Sequence, residues 1–212
     1  MNQETVKSLR NTVVFLIVVA GLVFGGLRLL GSKPQALVEV SPEDWVKGED
    51  LAQVTLIEYS DFQCPACAAY YPLINQIKDD FGDNLKLVYR HFPLTSIHKN
   101  ALVSAQAAEA AGLQGKFWEM HNALFEHQAD WSELDDPTSK FIEYATNLEL
   151  DIEKFANDLA SDEVNQKVKD DLDSALDLKI NATPTFFMNG KRITNPKNYD
   201  AFKSLIEKEI NE

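Results

Sequence analysis

The sequence predicts an α/β domain broken by a long helical insertion and preceded by one N-terminal transmembrane helix. Three observations carry that expectation. An uncharged apolar run stands at the N-terminus. Strand-like runs at residues 54–59 and 85–90 flank a helical pattern, and about eighty residues of helical periodicity then pass before strand signals return near residue 185. A chain of 212 residues, 45% hydrophobic and 25% charged, builds a real core, which excludes a disordered tail, a collagen-like repeat and a multi-span membrane protein. Its 20 basic and 33 acidic residues, net −13, exclude nucleic acid as a partner, since phosphate backbones attract the opposite sign.

Residues 11–27 carry no charge and lie between Lys7 and Arg10 on one side and Arg28 on the other. With Leu29 and Leu30 the stretch reaches about 20 residues, enough for a helix to cross a bilayer. A cleaved signal peptide is the rival reading. Its apolar region is usually shorter, about 7 to 15 residues, and no A-x-A-like site precedes Pro34. The basic flanks have a small inward bias, which places the rest of the chain outside the cytoplasm of a single-pass membrane protein. Glu4 is the one acid before Pro34, so the exported part is strongly acidic, anionic headgroups repel it, and attachment rests on the helix alone.

Residues 34–52, with Pro34, Pro42 and Gly48, read as a tether, and the domain as 53–212 with its insertion at about 98–178. A helix is expected from Cys64, with Tyr70, Ile74, Ile77 and Phe81 on one face, a kink at Pro72 and a stop at Gly82. After the second strand, helical patterns run from Ala101 to Gly112, around Phe117 to Phe125, and over residues 139–147, 152–159 and 164–178. Asn189-Gly190 between two short strands is a type I′ hairpin signal, and residues 199–210 form a last helix with Phe202, Leu205 and Ile206 inward. His121 reads as a packed helix residue and His98 as an exposed one. The run Asp170, Asp171, Asp173 and Asp177 reads as a solvated helix face, since it lacks the glycine and spacing of a calcium loop.

Cys64 and Cys67 are the chain's two cysteines, separated by Pro65 and Ala66. At a helix N-terminus, free backbone N–H groups and the helix dipole favour an anion, which lowers the Cys64 thiol pKa; Cys67, one turn on, is in reach to close a disulfide. Pro65 suits the first turn because its missing N–H has no intrahelical partner there. A structural disulfide and a metal site are the other readings. The first closes a loop too short to stabilise much, and the second needs about four ligands where the motif supplies two. No metal and no cofactor is therefore expected.

The runs Glu58-Tyr-Ser-Asp-Phe-Gln-Cys-Pro-Ala-Cys67, Tyr89-Arg-His-Phe-Pro-Leu94, Gln114-Gly-Lys-Phe-Trp-Glu-Met-His121 and Ala182-Thr-Pro-Thr-Phe-Phe-Met-Asn-Gly190 resemble, in order, the DsbA-like thiol-disulfide oxidoreductases of the thioredoxin superfamily. The resemblance covers roughly residues 50–210. It implies a thioredoxin fold with a helical insertion, Cys64 as the exposed attacking cysteine and Cys67 as the buried resolving one. It also implies a cis bond at Pro184, substrate pairing along the Thr183 backbone, and a buried acid at Glu58 that shuttles the Cys67 proton. Strongly oxidising relatives carry His where this chain has Ala66, which implies a milder oxidant. Lys86 and Arg90 are the candidate cation partners of Glu58. The implied function is an extracytoplasmic oxidase that passes its disulfide to reduced exported proteins and is reoxidised by a membrane partner. A reductase or isomerase on the same fold, and a metallochaperone or peptide-binding module, are the alternatives.

Overall fold

The computed structural model describes residues 13–16 and 37–211. Apart from residues 13–16, one exposed helical turn, the segment read as a membrane span lies outside the described residues. Among the described residues no helix is long and apolar enough to cross a membrane. The chain divides after Ala36, and the unit from Leu37 onward carries all that follows.

That unit is built on a five-stranded mixed sheet: β1 (Trp45–Lys47), β2 (Val54–Ser60), β3 (Leu85–His91), β4 (Thr185–Met188) and β5 (Lys191–Arg192), in spatial order β1-β3-β2-β4-β5. Only β2 and β3 run parallel, joined through α1 (Pro65–Phe81), as a parallel pair requires a crossover. Because strand side chains alternate, Leu56, Leu87, Phe186 and Met188 share one face, which α1 and the last helix, α8 (Tyr199–Asn211), cover with Ile74, Ile77, Phe202 and Ile206. Ile57, Val88 and Phe187 face the other way onto Ala175 of α7 (Asp162–Asp177). Five further helices precede α7 in the insertion: α2 (Ala101–Gly112), α3 (Phe117–Glu126), α4 (Gln128–Trp131), α5 (Thr138–Asn147) and α6 (Ile152–Asp158). Their own core is Met120, Leu124, Trp131, Phe141 and Phe155, all fully buried. Asn189 and Gly190 both adopt positive φ, 46° and 77°, as the tight hairpin demands.

Several sequence expectations change. The stretch read as a tether contributes β1, antiparallel to β3, and Trp45 stacks on Phe117 with centroids 4.4 Å apart while donating to Glu109 at 2.7 Å. A three-residue strand is too short to show a period, and its Pro and Gly flanks look like a linker. The four-residue α4 was hidden by its brevity. Helix α1 starts one residue after Cys64, which is its N-cap, and holds Pro72 within it. Asp171 is buried, accepting from the His91 backbone N–H at 2.9 Å and Lys167 at 2.5 Å. The face read as solvated is thus partly turned onto β3. His98 is half-buried, 2.7 Å from the buried Asp61.

The packing of Trp45 makes a double-mutant test. A Cβ on Gly112 would come within 2.3 Å of the Trp45 ring, so Gly112→Ala destabilises despite alanine's better helix propensity. Trp45→Ala is expected to cost about 3 kcal/mol by denaturant unfolding, where a tether residue would cost nothing. In the Trp45→Ala background, Gly112→Ala should reverse sign and stabilise by up to about 1 kcal/mol.

Candidate active site

Strand β2 ends at Ser60 and α1 begins at Pro65, so four residues turn the chain from sheet to helix. Asp61 holds that turn. Its backbone carbonyl accepts from Cys64 N–H at 3.0 Å, one carboxylate oxygen from Gln63 N–H at 2.8 Å, and the other from Leu94 N–H at 2.9 Å. The turn sets Cys64 at the head of α1, where the N–H groups of the first turn have no helical acceptor. Both cysteines are unbridged thiols, Cys64 with 7% of its surface exposed and Cys67 with none. The expectation of an exposed attacking cysteine is therefore corrected: Cys64 is the less buried of the pair but is itself buried, with the Thr183 carbonyl against its sulfur.

The Cys64 thiol is lowered to about 5. The main cause is the Cys67 thiol donating to it; burial opposes this, and the Thr183 side-chain hydroxyl and the backbone N–H groups of Cys67 and Ala66 add to the lowering. Cys67 is pushed well up by burial first, then by sharing its proton with Cys64. The pair therefore holds one proton, on Cys67, over a wide pH range. Cys64 Sγ lies 3.7 Å from the Thr183 carbonyl oxygen, and the Thr183-Pro184 bond is cis. Thus the two distant segments singled out in the sequence meet at the sulfur.

Glu58 lies on β2 between Tyr89 of β3 and Phe186 of β4, buried on the face that α1 covers. Burial raises its carboxyl to about 7; the nearby Ser60 hydroxyl opposes this and the Cys64 charge adds to it. Neither candidate cation serves it. Arg90 forks onto Asp44 at 2.8 and 2.7 Å and donates to Tyr59 OH, and Lys86 donates to the Asp50 carbonyl. The pleat explains this, for Lys86 and Arg90 point to the face opposite Tyr89. Glu58 instead lines a small cavity of about 20 Å³, room for one water, together with Tyr71, Asn75, Tyr89 and His121. Burial among aromatic rings lowers His121 to about 3, so it stays neutral and acts as packing.

Sequence reasoning missed Asp61, Gln63, Asn100 and Gln128. Gln63 donates to the Ser132 carbonyl at 2.6 Å and accepts from Asn100 N–H at 2.6 Å, which ties the active-site turn to the insertion. No local pattern marks such contacts; the adjacency of Asp61 and Gln63 to the cysteines was the available signal. His91, Glu109 and Asp171 come within metal-ligand spacing of one another, a grouping the sequence expectation of no metal did not foresee. Their oxygens already accept from Trp45, Lys167 and the His91 backbone, and His91 Nε2 is 2.7 Å from Glu109.

Fold and site together define a DsbA-like member of the thioredoxin superfamily. The chain belongs to the thioredoxin family, whose model, described as Thioredoxin, matches residues 40–208. The oxidised crystal structure of BdbD from Bacillus subtilis is similar over 85% of this chain and all of that one, with a TM-score of 0.73 and 26% identity. Wolbachia pipientis alpha-DsbA1 shares the fold over 82% of this chain and 94% of its own, with a TM-score of 0.73 and 22% identity. Among curated relatives, the Na(+)/H(+) antiporter NhaA 1 of Salinispora arenicola is 40% identical over 171 residues, 80% of this chain and 25% of that protein. That of Mycolicibacterium gilvum is 44% identical over 162 residues, 74% and 25%. The chain spans about a quarter of the length of these relatives.

Glu58 yields a pH test whose sign follows from its raised pKa. Between pH 4.5 and 7 the folded protein keeps a proton that the unfolded chain has released, so this contribution to stability is full below 4.5 and lost by 7. In the oxidised protein, where the cysteines do not titrate, Glu58→Gln is expected to stabilise by about 3 kcal/mol at pH 8 and by almost nothing at pH 4. Denaturant unfolding at the two pH values measures it, and an equal gain at both would dissociate Glu58 from the titration.

Proposed function

We propose that this chain is a protein disulfide oxidase that acts outside the cytoplasm, anchored by its N-terminal apolar segment. One observation carries the exchange chemistry. A thiol lowered to about 5 sits at a helix N-terminus beside a resolving thiol pushed well up, with the Thr183 carbonyl 3.7 Å from the first sulfur. In the oxidised enzyme, a client thiolate attacks Cys64 Sγ. A client–Cys64 bond forms, the Cys64–Cys67 bond breaks, and Cys67 leaves as a thiolate that takes a proton from Glu58. A second client thiolate then attacks the client sulfur of the mixed disulfide and expels Cys64. The client gains a disulfide and the enzyme is left with a Cys64 thiolate and a Cys67 thiol. A low-pKa thiol is the better leaving group, so release from Cys64 is the fast exit.

Glu58, neutral up to about 7, is placed to supply that proton. Reduced exported proteins are the clients and a membrane redox protein the reoxidant. Support for the compartment is the uncharged N-terminal run and the chemistry, since a disulfide donor has work where cytosolic reductants are absent. The antiport activity in the relatives' names concerns proteins of which this chain matches a quarter.

Cys67→Ser should accumulate mixed disulfides with clients on diagonal gels, because Cys64 then has no internal partner to resolve them. Cys64→Ser should accumulate none, and equal trapping by both variants would remove the division of roles. Direction is tested separately. Stabilising the Cys64 thiolate favours the reduced form and makes the pair oxidising, while Ala66 withholds a side-chain donor. A glutathione titration should place the potential between about −270 and about −120 mV, and thiol alkylation should find the pair oxidised in the membrane fraction of cells. A potential near the lower figure with the pair reduced in vivo would make the protein a reductase.

A further inference from the structure

We infer that Gln128, in the helical insertion, is a positioning residue for the Cys64 thiolate. Its side-chain amide nitrogen donates to the carbonyl oxygens of Phe62 at 2.6 Å and Cys64 at 3.1 Å. Among the described residues it is the side chain that bonds the active-site backbone on both sides of Gln63. The two carbonyls belong to the turn that aims Cys64 at the first N–H groups of α1, and the Cys64 carbonyl also accepts the first helical bond, from Ala68 N–H at 3.1 Å. Gln128 is itself set by Trp131, three residues on in α4, which is fully buried and donates to the Leu124 carbonyl at 2.9 Å. Beside the Gln63 and Phe62 contacts, Gln128 thus gives the insertion a direct hydrogen bond to the Cys64 backbone itself.

The two redox states need this contact to different degrees. In the oxidised protein the bond to Cys67 pins Cys64 to the helix, and the turn is held whether or not Gln128 is present. In the reduced protein that bond is gone, and the thiolate keeps its donors only while the turn stays in place. Removing the amide therefore costs the reduced state more, and the potential falls. The inference rests on the exchange activity proposed above. The net effect of hydrogen bonds of this kind corresponds to a shift of about fivefold in equilibrium, about 20 mV for a two-electron couple.

The test uses the full-length chain and two variants. Gln128→Leu removes the donor, and Gln128→Glu keeps the shape while presenting a carboxylate to two carbonyls. Equilibration with reduced and oxidised glutathione should show both variants displaced about fivefold toward their disulfide form relative to the wild type. The ultraviolet thiolate titration of Cys64 should move to higher pH, and the unfolding midpoint of the oxidised form should change little. If both redox forms lose the same stability while the potential and the titration stay put, Gln128 is only a structural contact and the inference is overturned. If the wild-type pair fails to equilibrate with glutathione at all, the exchange activity itself falls and the inference falls with it, a result visible without any variant.

Discussion

The chain must pass from a buried strand to a helix within four residues, and the site depends on that constraint. Strand β2 cannot extend past Ser60, because the next residues have to turn under the Cys64 backbone, and α1 cannot start earlier, because Cys64 must keep non-helical dihedrals to be its N-cap. Asp61 meets the demand with one buried carboxylate, serving the Gln63 and Leu94 backbone N–H groups and His98 together. A sulfur placed there faces N–H groups that the helix itself cannot use. Its acidity comes chiefly from the Cys67 thiol that donates to it, with the backbone N–H groups of the turn adding to the effect, and needs no cationic side chain. That accords with Ala66 standing between the cysteines: the backbone N–H of Ala66 contributes even though its side chain does not.

The insertion, far from being an ornament on the sheet, packs against the turn that leads into Cys64. Phe62 stacks on Tyr89 at 5.0 Å and packs against Phe125 and His121, so the residue two before Cys64 is embedded in the α3 core. Gln63 and Asn100 extend the connection to the carbonyls of Ser132 and Leu134. Burial of Glu58 follows from the same packing. Without α3 over the cavity, its carboxylate would be hydrated and would titrate in the ordinary range. The reactive thiol and the buried acid are both tuned by residues that lie far away in sequence.

Periodicity and turn chemistry made most of this architecture legible. The β2, α1, β3 unit, the helices of the insertion and the Asn189-Gly190 hairpin each repeat a strong local pattern over enough residues to be read. Elements of three or four residues, β1 and α4, left no period, though Trp45 and Trp131 anchor them. Within the site, Cys64, Cys67 and Pro184 stood out because rare residue types in a known order mark them. Asp61 and Gln128 did not, since a carboxylate or amide that serves the backbone looks like any polar loop residue until the loop is folded. Asp171 misled for a related reason. Charge runs on helices usually face water, but one turn of α7 faces the backbone of β3, where an acceptor is needed for the His91 N–H.

Two titrations of opposite sign share the site, and their opposition shapes how it responds to pH. A raised Glu58 makes the folded protein lose stability as pH climbs from about 4.5 to 7, whichever redox state it is in. A lowered Cys64 does the reverse in the reduced state alone, because from about 5 upward the folded protein has given up a proton that the unfolded thiol keeps until near 9. Above pH 5 the reduced form therefore gains on the oxidised form while Glu58 erodes both. Under the proposed oxidase role, the surplus stability of the dithiol is what would drive the disulfide onto a client, with the thiolate setting that direction. In that same proposed reaction Glu58 would govern only how readily the proton follows. An acid that stayed charged beside Cys67 would oppose its departure as an anion, and an acid near neutrality can release its proton at the moment the second sulfur needs one.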